Sequence, residues 1–161
     1  MNRRNPPNLG EFRYRHPIEV RFGDTDALGH VNNAVYLSYF EMGRSGYYQL
    51  LTGIPFGTEA DADHYTTVVS EATVHYRTQA FYGEPLVVEC RVGWVSRSAF
   101  GLEYRVVSAG SALGPVRLVA DGTTVHVRWD IKAGRVTRLP AGLREQFEGF
   151  EGHPIPTERP H

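Results

Sequence analysis

Cysteine is almost absent from this chain: Cys90 is the only one in 161 residues. An intrachain disulfide is therefore impossible. The residue lies in the apolar run VVECRV and reads as a small buried side chain rather than a reactive thiol. Net charge is also nearly missing, −1 from 17 basic and 18 acidic residues. Bulk electrostatics thus supplies no attraction toward nucleic acid or an anionic membrane surface, and neither is expected as a partner. No apolar run approaches the ~18 residues of a membrane helix. The opening MNRRNPPNLGEF carries basic residues with no apolar segment behind them, so it does not read as a secretory signal, and the cytoplasm is the expected compartment. The stretch GTEADADH mixes acids with a histidine but lacks zinc- or calcium-type spacing, so no metal is expected.

What is present is the composition of an ordinary globular domain, 41% hydrophobic and 22% charged. The length suits one domain with a real core. Residues 1–10, with two prolines, three asparagines and a glycine, read as a flexible arm. Residues 11–148 form the domain, and 149–161, rich in Pro, Gly and charge, read as a loosely held tail.

Within the domain, 12–22 alternates β-branched and aromatic residues with charged ones and reads as a strand. A turn follows over 23–29. Tyr36, Leu37, Phe40, Tyr47, Tyr48 and Leu51 then recur at helical spacing, with Asn32 or Asn33 as N-cap and Gly53 as the stop. Gly43 and Gly46 lie inside this run, each costing about 1 kcal/mol of helix propensity relative to Ala. They imply that another backbone passes close to the helix.

Strands follow at 66–76, 86–95, 101–108 and 116–129, with short turns between them and a short helix at 143–147. The alternation over 66–76 puts Val68, Ser70, Ala72, Val74 and Tyr76 on one face and Glu71, Thr73 and His75 on the other. One long helix followed by hairpin-linked strands is an α+β pattern, an antiparallel sheet covering a helix.

Chemistry concentrates in residues 21–44, RFGDTDALGHVNNAVYLSYFEMGR. Asp24 and Asp26 sit in a turn just ahead of the helix start. A carboxylate there suits attack on an ester or thioester, as base or nucleophile, with helix amides receiving the developing oxyanion. Each residue also has a plainer reading. Asp26 could make only an Asx-turn. Asp24 reads as structural, bonding turn amides or pairing with Arg21. His30 reads as a turn or interface residue, Asn33 as a cap, Tyr36 and Tyr39 as packing. Glu41, mid-helix, needs a partner if it faces the sheet.

The run FGDTDALGHVNNAVYLSYFE, followed by the strand-turn-strand HYRTQAFYGEPLVVECRV, resembles the hotdog-fold acyl-CoA thioesterases. The likeness is to the 4-hydroxybenzoyl-CoA thioesterase branch with its YbgC-type and FadM-type members, and it covers about residues 18–129. It implies a long central helix wrapped by a five- or six-stranded antiparallel sheet. It implies a homodimer or dimer of dimers, paired edge to edge, with active sites at the dimer interface. The family's catalytic aspartate falls on Asp26. The histidine that some members carry seven residues later is Asn33 here, and HVNN resembles the FadM-type subgroup instead.

The expected activity is hydrolysis of an acyl-CoA thioester to a free acid and CoA, with no metal or redox cofactor and with CoA entering only as part of the substrate. Asp26, Asn33 and Ala34 are the expected catalytic positions, the last two through the amides near 33–35. His30, Tyr36, Phe40 and Ser70 are expected to touch substrate, the acyl tunnel being lined by Tyr36, Phe40 and the partner's 66–76 strand. Arg97 and Ser98, in SRSAF, match a place where the resembling enzymes have basic residues near the CoA nucleotide. The alternatives are a non-catalytic acyl-binding module or a hotdog dehydratase or hydratase.

Overall fold

A computed structural model describes residues 11–55 and 67–160. Residues 1–10, the acidic stretch GTEADADH and the start of the 66–76 strand lie outside the described residues.

The long helix, α1 (Val35–Thr52), buries Tyr36, Tyr39, Phe40, Gly43, Tyr47 and Tyr48. These positions repeat every three or four residues, so a single stripe faces the sheet. The helix ends where expected. Gly53 adopts φ 68° and its N–H bonds the Gln49 carbonyl at 2.9 Å, a left-handed cap that glycine reaches without strain.

Strands β1 (Tyr14–Glu19), β2 (Thr67–Tyr76), β3 (Pro85–Val95), β4 (Ala99–Ser108) and β5 (Arg117–Asp130) form an antiparallel sheet in the order β1-β3-β4-β5-β2. A two-residue β6 (Arg135–Val136) pairs with β5. The sheet curls around α1, the α+β hotdog arrangement. β1 is shorter than the expected 12–22 strand, because Phe22–Asp24 turns as a single 3₁₀ coil.

The two helix glycines do mark close approaches, though by side chains rather than backbone. A Cβ at Gly43 would stand 2.6 Å from Val88 Cγ1, and one at Gly46 would meet the Tyr14 hydroxyl. β3 and β1 therefore press directly onto the helix.

The expected faces of β2 are corrected by a bulge. The register with β5 shifts between Val69 and Glu71, leaving Ser70 unpaired. Val69, Ala72, Val74 and Tyr76 oppose His126, Thr124, Gly122 and Ala120, on the face where Gly122 abuts Phe40. One extra residue flips everything before it to the other side. Val68 and Ser70 thus leave the face they were expected to share with Ala72, Val74 and Tyr76, and Val69 joins it.

On the outer face one row crosses all five strands: Arg15, Glu89, Arg105, Asp121 and His75 stand in register. Ion pairs join Arg15 and Arg105 to Glu89, and His75 Nδ1 lies at hydrogen-bond distance, 3.2 Å, from Asp121 Oδ1. Inside, Tyr104, Thr124 and His126 form a buried hydrogen-bonded chain, and burial together with the nearby Arg44 charge pushes the His126 pKa down to about 3. Burial also raises the Cys90 thiol pKa, so it is inert.

A second helix, α2 (Leu143–Glu151), overruns the expected 143–147 segment. The residues expected to be a loose tail are tied down. Glu151 is buried and accepts bonds from the Tyr47 hydroxyl and from Val92 N. Ile155 is buried, Val95 N bonds the Pro156 carbonyl at 2.9 Å, and Arg159 pairs with Glu71. Phe147 explains why: its ring packs on Tyr47, Tyr48 and Phe100, so α2 closes one end of the core. Local composition could not reveal a partner so far away in sequence.

Candidate active site

The turn between β1 and α1 is built around two carboxylates with opposite surroundings. Asp24 is 2% exposed. Its oxygens accept from Arg21 N at 3.0 Å, from the Arg21 guanidinium at 2.8 Å and from the Tyr39 hydroxyl at 3.0 Å. Burial alone would raise its pKa, but these bonds outweigh burial and hold the carboxyl below its ordinary value. Asp24 is the structural centre of the turn.

Asp26 opens a tight loop in which its N–H bonds the His30 carbonyl and its own carbonyl accepts from Gly29 N. Its Oδ1 accepts the Leu28 N–H at 2.9 Å, an Asx-turn. Among the described residues its other carboxylate oxygen has no hydrogen-bond partner. Turn chemistry and a reactive oxygen therefore coexist on one side chain.

The helix start departs from the expected cap. Ala34, not Asn32 or Asn33, occupies the N-cap position and makes no side-chain cap. Asn32 instead engages the amides of Ala34 and Val35: its Oδ1 accepts from Ala34 N at 2.9 Å and its carbonyl from Val35 N at 3.0 Å. Among the described residues Asn33 N has no partner. Of the three amides expected to face substrate, Asn33 N–H is the one left open.

A cavity of about 350 Å³ lies against this turn. Asp26, Leu28, His30, Asn33, Tyr36 and Tyr76 contribute to its walls. Tyr36 and Tyr76 meet edge to face, centroids 5.4 Å apart. Burial and the Glu84 charge push the Tyr36 hydroxyl pKa up to about 12. Two bonds join the turn to β2 and the segment after it: Tyr76 Oη donates to the Asn33 carbonyl at 2.9 Å, and Val31 N donates to the Ala80 carbonyl at 2.9 Å.

Asp26, His30, Asn33 and Tyr36 therefore converge, with Ala34 beside them at the helix start. Phe40 does not join them. It is fully buried and stacks on Tyr104 at 4.3 Å, one turn deeper in the core, and is not among the residues lining this cavity. Ser70 is exposed in the β2 bulge, its Oγ 3.4 Å from the Val125 carbonyl. Arg97 and Ser98 sit in the β3–β4 turn. Tyr76 opposes Ala120 whereas Ala99 opposes Val127. At ~3.3 Å per strand residue, that turn lies roughly 23 Å from the cavity along the same sheet. Arg97 lines a separate cavity with Arg138 and Glu145.

The cavity's wall includes Leu28 and this protomer's own Tyr76, the last residue of β2. Neither was foreseen as a site residue. Tyr76 carried a usable signal, a tyrosine on the helix-facing side at the last position of β2, but only the pairing of β2 with β5 brings it to the helix start. Among the described residues no group of three or more His, Cys, Asp or Glu side chains could hold a metal ion. No described helix is long and apolar enough to cross a membrane.

Known proteins share this architecture. A crystal structure of a thioesterase from Thermus thermophilus, complexed with coenzyme A and zinc, is 33% identical to this chain. The alignment covers 89% of this chain and 98% of that one, with a TM-score of 0.74. The 1,4-dihydroxy-2-naphthoyl-CoA thioesterase Slr0204 from Synechocystis has the same fold, with a TM-score of 0.72 at 19% identity over 83% of this chain and 94% of its own. A chloroplastic acyl-acyl carrier protein thioesterase from Arabidopsis thaliana is 27% identical over 144 residues, 88% of this chain and 70% of its own length. The family model for the thioesterase-like superfamily matches residues 20–147. With that match spanning the turn, the helix and strands β2 to β6, this chain belongs to the thioesterase-like superfamily and is a thioester hydrolase.

Proposed function

We propose that the substrate is an acyl-CoA thioester, cleaved to a free carboxylic acid and CoA, as in the 4-hydroxybenzoyl-CoA thioesterase branch. One observation carries this reading: Asp26 and Asn33 line the same aromatic-walled cavity, and among the described residues one Asp26 carboxylate oxygen and the Asn33 N–H have no hydrogen-bond partner. The thioester carbonyl oxygen would sit against Asn33 N–H, at the positive end of the α1 dipole, where negative charge is favoured. Asp26 would take a proton from water, whose oxygen adds to the carbonyl carbon. Alternatively its oxygen adds directly, giving a mixed anhydride that water then opens. In both routes the C–S bond breaks and CoA leaves as thiolate, which is protonated to the thiol. Neither route calls on a metal or redox cofactor.

The protein would act as a homodimer through β2. This strand ends the sheet and leaves Val68, Val69 and Tyr76 about half exposed, an open edge that invites pairing. A two-fold antiparallel β2–β2 pairing would carry the partner's Val68 end toward this protomer's Tyr76 end. Ser70, Arg97 and Ser98, remote from the cavity within one protomer, would then approach it from the partner, with Arg97 toward the CoA nucleotide.

The test is thiol release from a panel of aliphatic and aromatic acyl-CoAs and the matching acyl-carrier proteins. Release from acyl-CoAs is the expected result. Release from acyl-carrier protein alone, or from neither, would overturn the assignment.

A further inference from the structure

The Tyr76 hydroxyl is the strongest unassigned polar group at the site. Its ring packs edge to face on Tyr36, and a phenylalanine would serve that packing equally well. The hydroxyl makes one bond, to the Asn33 carbonyl at 2.9 Å, from a strand 43 residues away in sequence. Asn33 lines the cavity and its N–H has no partner among the described residues, while Ala34, at the N-cap position, makes no side-chain cap. Asn32 braces the turn from inside, through Ala34 N and Val35 N. What braces it from outside is Tyr76.

We propose that Tyr76 is a positioning residue: by pinning the Asn33 carbonyl to the end of β2, it holds the helix-opening turn so that the Asn33 amide stands ready for the oxyanion. β2 itself is anchored there, because Arg77 N and Thr78 N both bond the Val119 carbonyl, at 2.8 and 3.1 Å. The hydroxyl thus transmits the rigidity of the sheet to a turn whose local brace is Asn32. Such preorganisation lowers the barrier without adding ground-state affinity. The inference rests on the proposed hydrolysis for its kinetic arm only.

The experiment compares the wild type with Tyr76→Phe, which keeps the ring and removes the bond. The expected kcat falls about 3- to 10-fold, the range for one neutral hydrogen bond, with KM within about twofold. Amide hydrogen exchange at Ala34 and Val35 should speed up by a similar factor, while Tm stays within about 2 °C. Unchanged kcat with unchanged exchange overturns the proposal. So does a loss that appears mainly in KM, which would make Tyr76 a substrate contact. A fall in kcat matched by a large fall in Tm would also overturn it, because Tyr76 would then be packing alone. If the wild type releases no thiol from any acyl-CoA, the substrate reading fails, and the exchange measurement still decides whether Tyr76 pins the turn.

Discussion

Asp24 and Asp26 are two residues apart, yet one carboxylate is saturated with donors and the other is half spent. Asp24 is buried under Arg21 and Tyr39, whereas Asp26, which lines the cavity, gives one oxygen to Leu28 N and has no partner for the second among the described residues. The same side chain type thus does structural work at one position and is free for chemistry at the next-but-one.

Substitutions at the pair should separate rate from stability. Asp26→Asn keeps an oxygen for Leu28 N, so the turn survives, and turnover should fall roughly 10²–10⁴-fold, the range for losing a general base. Asp24→Asn removes the anion that answers Arg21 and should cost about 1–2 kcal/mol of stability. Kinetics at saturating substrate together with urea midpoints check both. If Asp24→Asn proves the more damaging to kcat at equal folded fraction, the roles are reversed.

Acid should unfold the protein through Asp24 and Glu84. Glu84 is fully buried; burial favours its protonation, but bonds from Arg117, Ser108 and Phe81 N overcome this and lower its pKa. Both carboxyls therefore bind protons less tightly folded than unfolded. Their stabilisation is complete above the unfolded carboxylate range, about pH 4, and is lost as pH falls through the lower folded values. Urea midpoints should begin to fall below about pH 6.5, where unfolded but not buried His126 takes up a proton, and should drop further below about 4 as the two carboxyls are protonated. Glu84→Gln should lower the plateau and flatten that acid limb. An acid limb as steep as the wild type's would show that Glu84 is not among the linked groups.

Two helix glycines should respond with opposite signs to alanine. At Gly43 the gain in helix propensity, about 1 kcal/mol, meets a Cβ 2.6 Å from fully buried Val88. Overpacking costs about 1–3 kcal/mol, so Gly43→Ala should be destabilising. Gly149, on the exposed side of α2, has nothing within 4 Å of its added Cβ. Gly149→Ala should stabilise by about 0.5–1 kcal/mol. Thermal melts of the two variants decide the matter. Stabilisation by Gly43→Ala would mean that β3 does not press on the helix there.

The helix, its Gly53 stop, the strand succession and the α+β class were legible in the sequence, because they follow from short-range periodicity and from turn residues with local conformational demands. Asp26 was legible as a residue ahead of a helix start. Local pattern could not say that Phe40 stacks on Tyr104 rather than lining the site, since a helical stripe shows which side is buried and not what it is buried against. Nor could it show the Ser70 bulge, which is a mismatch between two strands. The C-terminal residues looked loose because Glu151 is held by α1 and β3 and Pro156 by β3, far away in the chain. The open amide at Asn33 and the hydroxyl that pins its carbonyl were decided only by the tertiary structure, for the same reason: the sheet curls until the end of β2 meets the start of α1, and a contact across 43 residues leaves no periodic trace.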